Sequence, residues 1–141
     1  MAQKDTLIIL MADDDDDDIM LTKKALKKGK LLNPLYTVQN GEELLDYLFR
    51  RGKYTDPSSS PRPGVILLDL NMPKKDGREA LKEIKSADDL KDIPIVVFTT
   101  SKAEEDIYRS YKLGVNSFVT KPVTFASLIE VMQMLGKYWF E

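Results

Sequence analysis

Residues 65–77 read VILLDLNMPKKDG, and this stretch decides the fold. Val65, Ile66, Leu67 and Leu68 form an apolar run with no polar alternation. That pattern marks a strand buried on both faces, as in parallel sheets with helices on each side. The run ends on an acid, Asp69. Pro73 then favours a turn, and Asp76 stands three residues before Glu79, the spacing of a capping box at a helix start. An acid in that place sits at the rim of the sheet, at the strand's carboxyl end.

Working outward, strand-like runs recur at 7–12, 35–39, 65–69, 95–99 and 117–120. Helical spacing fills the intervals and the end of the chain. Leu44, Leu45, Leu48 and Phe49 make one face; Ala80, Leu81, Ile84 and Ala87 another; Phe125, Leu128, Ile129, Met132 and Leu135 a third. Asn40 with Glu43, and Ser101 with Glu104, repeat the cap spacing, while Gly29, Gly52, Gly114 and Gly136 fall near helix ends, where left-handed backbone is common. Five β-α units predict an α/β protein with a flavodoxin-like (βα)5 fold. Its five-stranded parallel sheet is doubly wound in the order 2-1-3-4-5, with helices on both faces and ligands at the strands' carboxyl ends. A chain of 141 residues fits a single domain, 1–141, with one core. The insertion at 53–64, with DPSSSPRP at its centre, reads as a mobile surface loop, because too few residues flank it for two cores.

Composition removes several function classes. A formal charge of −2 with no basic patch gives no reason to expect nucleic acid. Lys23, Lys24, Lys27 and Lys28 suit the solvated C-terminal half of a helix. No apolar run approaches a membrane span, and Lys4-Asp5 near the start do not fit a signal peptide, so a cytoplasmic location is the expectation. The chain has no Cys and no His. Thiolate and imidazole catalysis, and zinc held by either ligand, are therefore excluded on this chain. Chemistry must run on carboxylates, hydroxyls and amines, and any phosphohistidine belongs to another protein.

Three segments stand where they can serve Asp69. Asp13 begins an acidic run, 13–18, after the first strand; its bland readings are a solvated block of charge or acids favouring a helix N-terminus. Two adjacent carboxylates at a strand end repel by roughly 4 kcal/mol at 4 Å and an effective dielectric near 20, so a cation between them is favoured. Oxygen ligands and partial exposure suit Mg²⁺, and Mn²⁺ or Ca²⁺ also fit. Thr99 ends a later strand, where plain β-propensity would also place it. Lys121-Pro122 follows the last strand. It reads either as a surface lysine before a turn or as a point charge aimed at the rim, with a cis bond as one way to aim it. Phe118 reads first as core. A carboxylate so placed can act as a nucleophile and form an acyl phosphate.

Taken together, LDLNMPKKDG, FVTKP, the acidic run and the hydroxyl pair Thr99-Thr100 make the chain similar, over essentially its whole length, to response-regulator receiver domains. These are the phosphoaccepting half of two-component signalling. The resemblance implies that Asp69 is the phosphoacceptor, that Asp13 and Asp14 are the acid pair, that Thr99 is the switch hydroxyl, that Lys121 binds phosphate, and that Phe118 is the rotating aromatic. Metal would be held by Asp13, Asp14 and Asp69 with the main-chain carbonyl of Asn71. Asn71 and Ser101 would tune hydrolysis of the acyl phosphate. A sensor histidine kinase would supply the phosphoryl group. The chain would not be an enzyme in the ordinary sense, since it catalyses only its own phosphotransfer and dephosphorylation.

The 53–64 insertion and the phrase FTTSKAEEDI resemble single-domain regulators that partner bacterial and cyanobacterial phytochromes. Asp15, Asp16 and Asp17 depart from the usual uncharged residues, and Phe118 stands where many members have Tyr. No room is left for an output domain after Tyr138-Trp139-Phe140-Glu141, so output is expected through contact with a downstream protein, directly or through a homodimer. The competing reading is an aspartate-nucleophile phosphatase of the haloacid-dehalogenase type. There, however, the nucleophile follows the first strand with a second acid two residues on, whereas here the acidic run comes first and position 71 is Asn.

Overall fold

Residues 7–140 are described by a computed structural model; Lys4, Asp5 and the terminal Glu141 lie outside the described residues. Within them, strands and helices alternate along the chain. The strands are β1 Ile9–Ala12, β2 Leu35–Val38, β3 Val65–Leu68, β4 Ile95–Thr99 and β5 Ser117–Thr120. The helices are α1 Asp16–Lys28, α2 Gly41–Leu48, α3 Gly77–Ser86, α4 Glu104–Lys112 and α5 Phe125–Tyr138, with a short 3₁₀ turn at Gly52–Tyr54. The sheet runs β2-β1-β3-β4-β5 with every pairing parallel, as the sequence pattern predicts.

Successive strand residues point to opposite faces, and both faces are apolar. Leu10, Ala12, Ile66, Leu68, Ile95 and Val97 pack toward α2 and α3, against residues such as Leu44, Leu81 and Ile84. Ile9, Met11, Val65, Leu67, Val96 and Phe98 pack toward α1 and α5, against Ile19, Leu26, Leu128 and Met132. Burying each such aliphatic side chain contributes about 1.5–3 kcal/mol, which explains the unbroken apolar runs. On α1, Thr22 is buried, whereas Leu21 is 39% exposed.

Helix starts follow side-chain chemistry, with one exception. Asn40 accepts the N–H of Glu43 at 2.8 Å, and Glu43 in turn accepts the N–H of Gln39 at 2.6 Å. Asp76 accepts from the Arg78 and Glu79 N–H groups, and Thr124 accepts from that of Ser127. Ser101 does not cap α4, as its spacing suggested. The cap is Ala103, without a side-chain bond, because the Ser101 hydroxyl is donated instead to Asp106 at 2.7 Å. Two glycines also differ from expectation. Gly29 has an ordinary φ of −77°, and Lys30 takes the left-handed place at φ 62°. Gly136 lies inside α5, where an added Cβ would stand 2.7 Å from Leu31.

Residues 53–64 lie largely at the surface, yet they are tied down. The Tyr47 hydroxyl donates to the Pro61 carbonyl at 2.7 Å and Arg50 donates to that of Ser60 at 3.0 Å. Ser60 is buried, with its hydroxyl bonded to the Tyr54 and Asp56 carbonyls. The Tyr47 ring meets Tyr36 edge-to-face and Tyr54 at a tilt, so the three rings form a contiguous aromatic row. A loop so rich in turn formers thus borrows its order from α2.

Candidate functional site

The sheet's register carries the expected residues to one rim. Beyond the strand ends, Asp13 donates its N–H to Val38, Asp69 to Ala12 and Lys121 to Thr99, at 3.0, 3.0 and 2.8 Å. Each of these residues is therefore fixed by the ladder that precedes it. The turn after β3 is equally constrained: a Cβ on Gly77 would lie 2.2 Å from the Asp69 carbonyl oxygen, so only glycine lets α3 start this close.

Asp69 lies at the centre, 6% exposed. Its Oδ1 accepts the Thr99 hydroxyl at 2.7 Å and the Asn71 N–H at 3.1 Å. Its Oδ2 accepts the Lys121 ammonium at 3.1 Å. Lys121 reaches the rim with a trans bond to Pro122, since no cis peptide occurs among the described residues; the turn alone aims it. The ammonium also donates to Asp13 Oδ2 at 2.6 Å and Asp18 Oδ2 at 2.8 Å, and lies 6.0 Å from the centre of the Phe98 ring.

Burial opposes the charge on Lys121, but its bonds to Asp13 and Asp18 outweigh that effect and hold it above the usual lysine range. Burial pushes the Asp13 carboxyl up to about 6, against the opposing pull of the Lys121 ammonium. Asp13, Asp14 and Asp69 each present a carboxylate oxygen, all within 4.8 Å of one another. Such a hard, oxygen-only donor set suits Mg²⁺ or Mn²⁺. Asp14 is exposed, which leaves that side open to solvent ligands.

The extra acids have separate roles. Asp15 is the N-cap of α1: its carboxylate accepts the N–H groups of Asp17 at 2.9 Å and Asp18 at 3.3 Å. Asp18 joins the site through Lys121, and sequence reasoning missed it because six consecutive aspartates look alike. Its helical spacing to the buried Thr22, on the inward face of α1, was the available signal.

Phe118 is half-buried against the α2–α3 side of the core, and its N–H donates to the Tyr111 hydroxyl at 3.1 Å. Ser101 donates its hydroxyl to Asp106 rather than to Asp69. It forms part of a network missed from sequence, in which Arg78 on α3 grips Asp106 on α4 with two bonds of 2.7 Å. The Arg78 guanidinium bond, with the Ser101 hydroxyl adding to it, holds the Asp106 carboxyl down at about 2. Val123, just past Lys121-Pro122, is fully exposed at the rim.

The chain is similar to known proteins in sequence and in fold. Residues 9–133 match the family described as response regulator receiver domain. Response regulator Rcp1 of Synechocystis sp. is 43% identical over 121 residues, covering 86% of this chain and 80% of that protein. The phosphorylated cyanobacterial phytochrome response regulator RcpA superposes with a TM-score of 0.88 at 41% identity, covering 96% of this chain and 94% of that one. The Mn²⁺-bound form of Rcp1 superposes with a TM-score of 0.85 at 41% identity, covering 96% and 95%.

Proposed function

The chain belongs to the response regulator receiver domain family, a phosphorelay component served by a phosphodonor kinase, and on that premise we propose that Asp69 is its phosphoacceptor. The observation that carries this reading is the convergence on Asp69 of Thr99, Lys121 and the Asp13–Asp14 pair from four strand ends. An Asp69 oxygen attacks the phosphorus of a phosphohistidine on the kinase. The P–N bond breaks as the O–P bond forms, and the electron pair stays on the ring nitrogen, so that the imidazole leaves neutral with its other nitrogen already protonated.

Asp13, Asp14 and Asp69, with the Asn71 carbonyl, would hold a divalent cation, Mg²⁺ in the first place. When bound, it neutralises charge developing on the phosphoryl oxygens. Lys121 then gives one N–H to the phosphoryl group. Thr99 leaves Asp69 Oδ1 and donates its hydroxyl to another phosphoryl oxygen. Phe118 turns into the space this vacates, and α4 with its neighbouring faces shifts, biasing a two-state equilibrium. Self-catalysed transfer and loss of the phosphoryl group is the activity this reading assigns to the chain. Asn71, whose N–H bonds Asp69 Oδ1 at 3.1 Å, flanks the acyl phosphate and influences its lifetime.

A phytochrome-type sensor kinase is the partner this reading favours, supported by the similarity to Rcp1 and RcpA. A cytoplasmic location fits such a partner, and no described helix is long and apolar enough to cross a membrane. Output would pass to a downstream protein, directly or through a homodimer. The phosphatase reading finds no support in the comparisons.

Incubation with acetyl phosphate or a phosphoramidate plus Mg²⁺, read by intact mass, tests the assignment. One base-labile phosphoryl adduct is expected, absent in Asp69→Asn. A stable adduct on Ser or Thr, or no adduct at any Mg²⁺ concentration, would overturn it.

A further inference from the structure

Lys121 has three N–H groups and three carboxylate acceptors, Asp13, Asp18 and Asp69, at 2.6, 2.8 and 3.1 Å. Its ammonium is thus saturated. Two of those acceptors have other work on the reading above, on which this inference rests: Asp13 belongs to the cation's donor set, and Asp69 becomes an acyl phosphate. Asp18 alone is engaged by neither event. It sits in the first turn of α1, and its own N–H is held by the Asp15 cap, so its place does not depend on the cation. The neighbouring acids differ. Asp16 bonds to Gln39, and the exposed Asp17 makes no bond to Lys121.

We infer that Asp18 is a positioning residue, the constant anchor of Lys121. It keeps the ammonium at the rim while Asp13 lets go, so that the freed N–H is offered to the incoming phosphoryl group. Without Asp18, an ammonium displaced from Asp13 has no remaining anionic partner but Asp69 itself, and competes there with the reaction.

The test compares Asp18→Asn with Asp17→Asn, which removes the same charge from the same helix turn but leaves the anchor. The first readout needs no metal. In metal-free protein, an ammonium held by three acceptors exchanges slowly and gives a resolved ¹H–¹⁵N signal for Lys121; this should broaden away in Asp18→Asn and persist in Asp17→Asn. The second is the rate of phosphorylation by phosphoramidate at saturating Mg²⁺. It should fall about tenfold in Asp18→Asn relative to Asp17→Asn, the scale of one partly exposed charge-assisted hydrogen bond. Asp18→Glu should recover part of the loss, and Asp18→Asn should add nothing in a Lys121→Gln background, because the effect runs through the lysine.

Equal rates for the two asparagine variants, an unchanged Lys121 signal, or additivity with Lys121→Gln would each overturn the inference. Asp18→Ser replaces Asp18→Asn if that variant does not fold. A wild-type protein that takes no phosphoryl group would overturn the Asp69 reading instead, and the metal-free signal would still decide the anchor.

Discussion

Asp69 reaches the rim because the turn behind it folds back without a side chain at position 77. An alanine there would place its Cβ 2.2 Å from the Asp69 carbonyl oxygen and 2.7 Å from the Leu70 Cα, both backbone atoms that cannot move aside. Gly77→Ala should therefore destabilise the protein by about 1–3 kcal/mol, as overpacking does, and displace the Asp69 carboxylate. Urea unfolding checks the first effect, and a stability change below ~0.5 kcal/mol, the size of an ordinary surface substitution, would contradict the close approach. At this scale much of the site was legible in the chain. Asp13, Asp69, Thr99 and Lys121 each end or follow a strand-like run, so position alone marked them. The functions within 13–18 were not legible. Asp15 and Asp18 differ only in where the helix turns them, one toward backbone N–H groups and the other toward an amine more than a hundred residues away.

Between elements, the Arg78–Asp106 pair is the direct tie from α3 to the first turn of α4, and Ser101 joins it to the chain leaving β4. Its sign with pH follows from the lowered carboxyl. Folding holds Asp106 at about 2 against an ordinary 3.8, so the folded state binds fewer protons between those values. The pair's stabilisation is complete above the ordinary value and is lost as pH falls toward 2. Arg78 is 39% exposed, so solvent screening limits the contribution to about 1 kcal/mol. Wild type should exceed Asp106→Asn by that amount at pH 5 to 7, with the gap closing by pH 2; a gap independent of pH would refute the pairing. Strand positions were readable because both faces of each inner strand are buried, which leaves long apolar runs. The start of α4 was not, because the hydroxyl that fits a capping box found a stronger, charged acceptor five residues on.

Across the whole molecule, the fold could be read from five apolar runs and the turn residues between them, since a parallel sheet needs a crossover after every strand. The state of the 53–64 insertion could not. Its composition speaks only for turns, while its order comes from Tyr47 and Arg50, which bond the Pro61 and Ser60 carbonyls from outside it. Tyr47→Phe removes the bond to Pro61, and a non-specific protease should then cut within 56–61 about fivefold faster, in proportion to one hydrogen bond of opening free energy. The midpoint of global unfolding should barely move, and an unchanged cutting rate would show that the ring packing alone suffices. The bare, outward-facing Val123 has a practical consequence as well. A protein with no sulfhydryl of its own would gain a unique attachment point from Val123→Cys. A dye coupled there would stand beside the amine's turn and turn occupancy of the pocket into an optical signal.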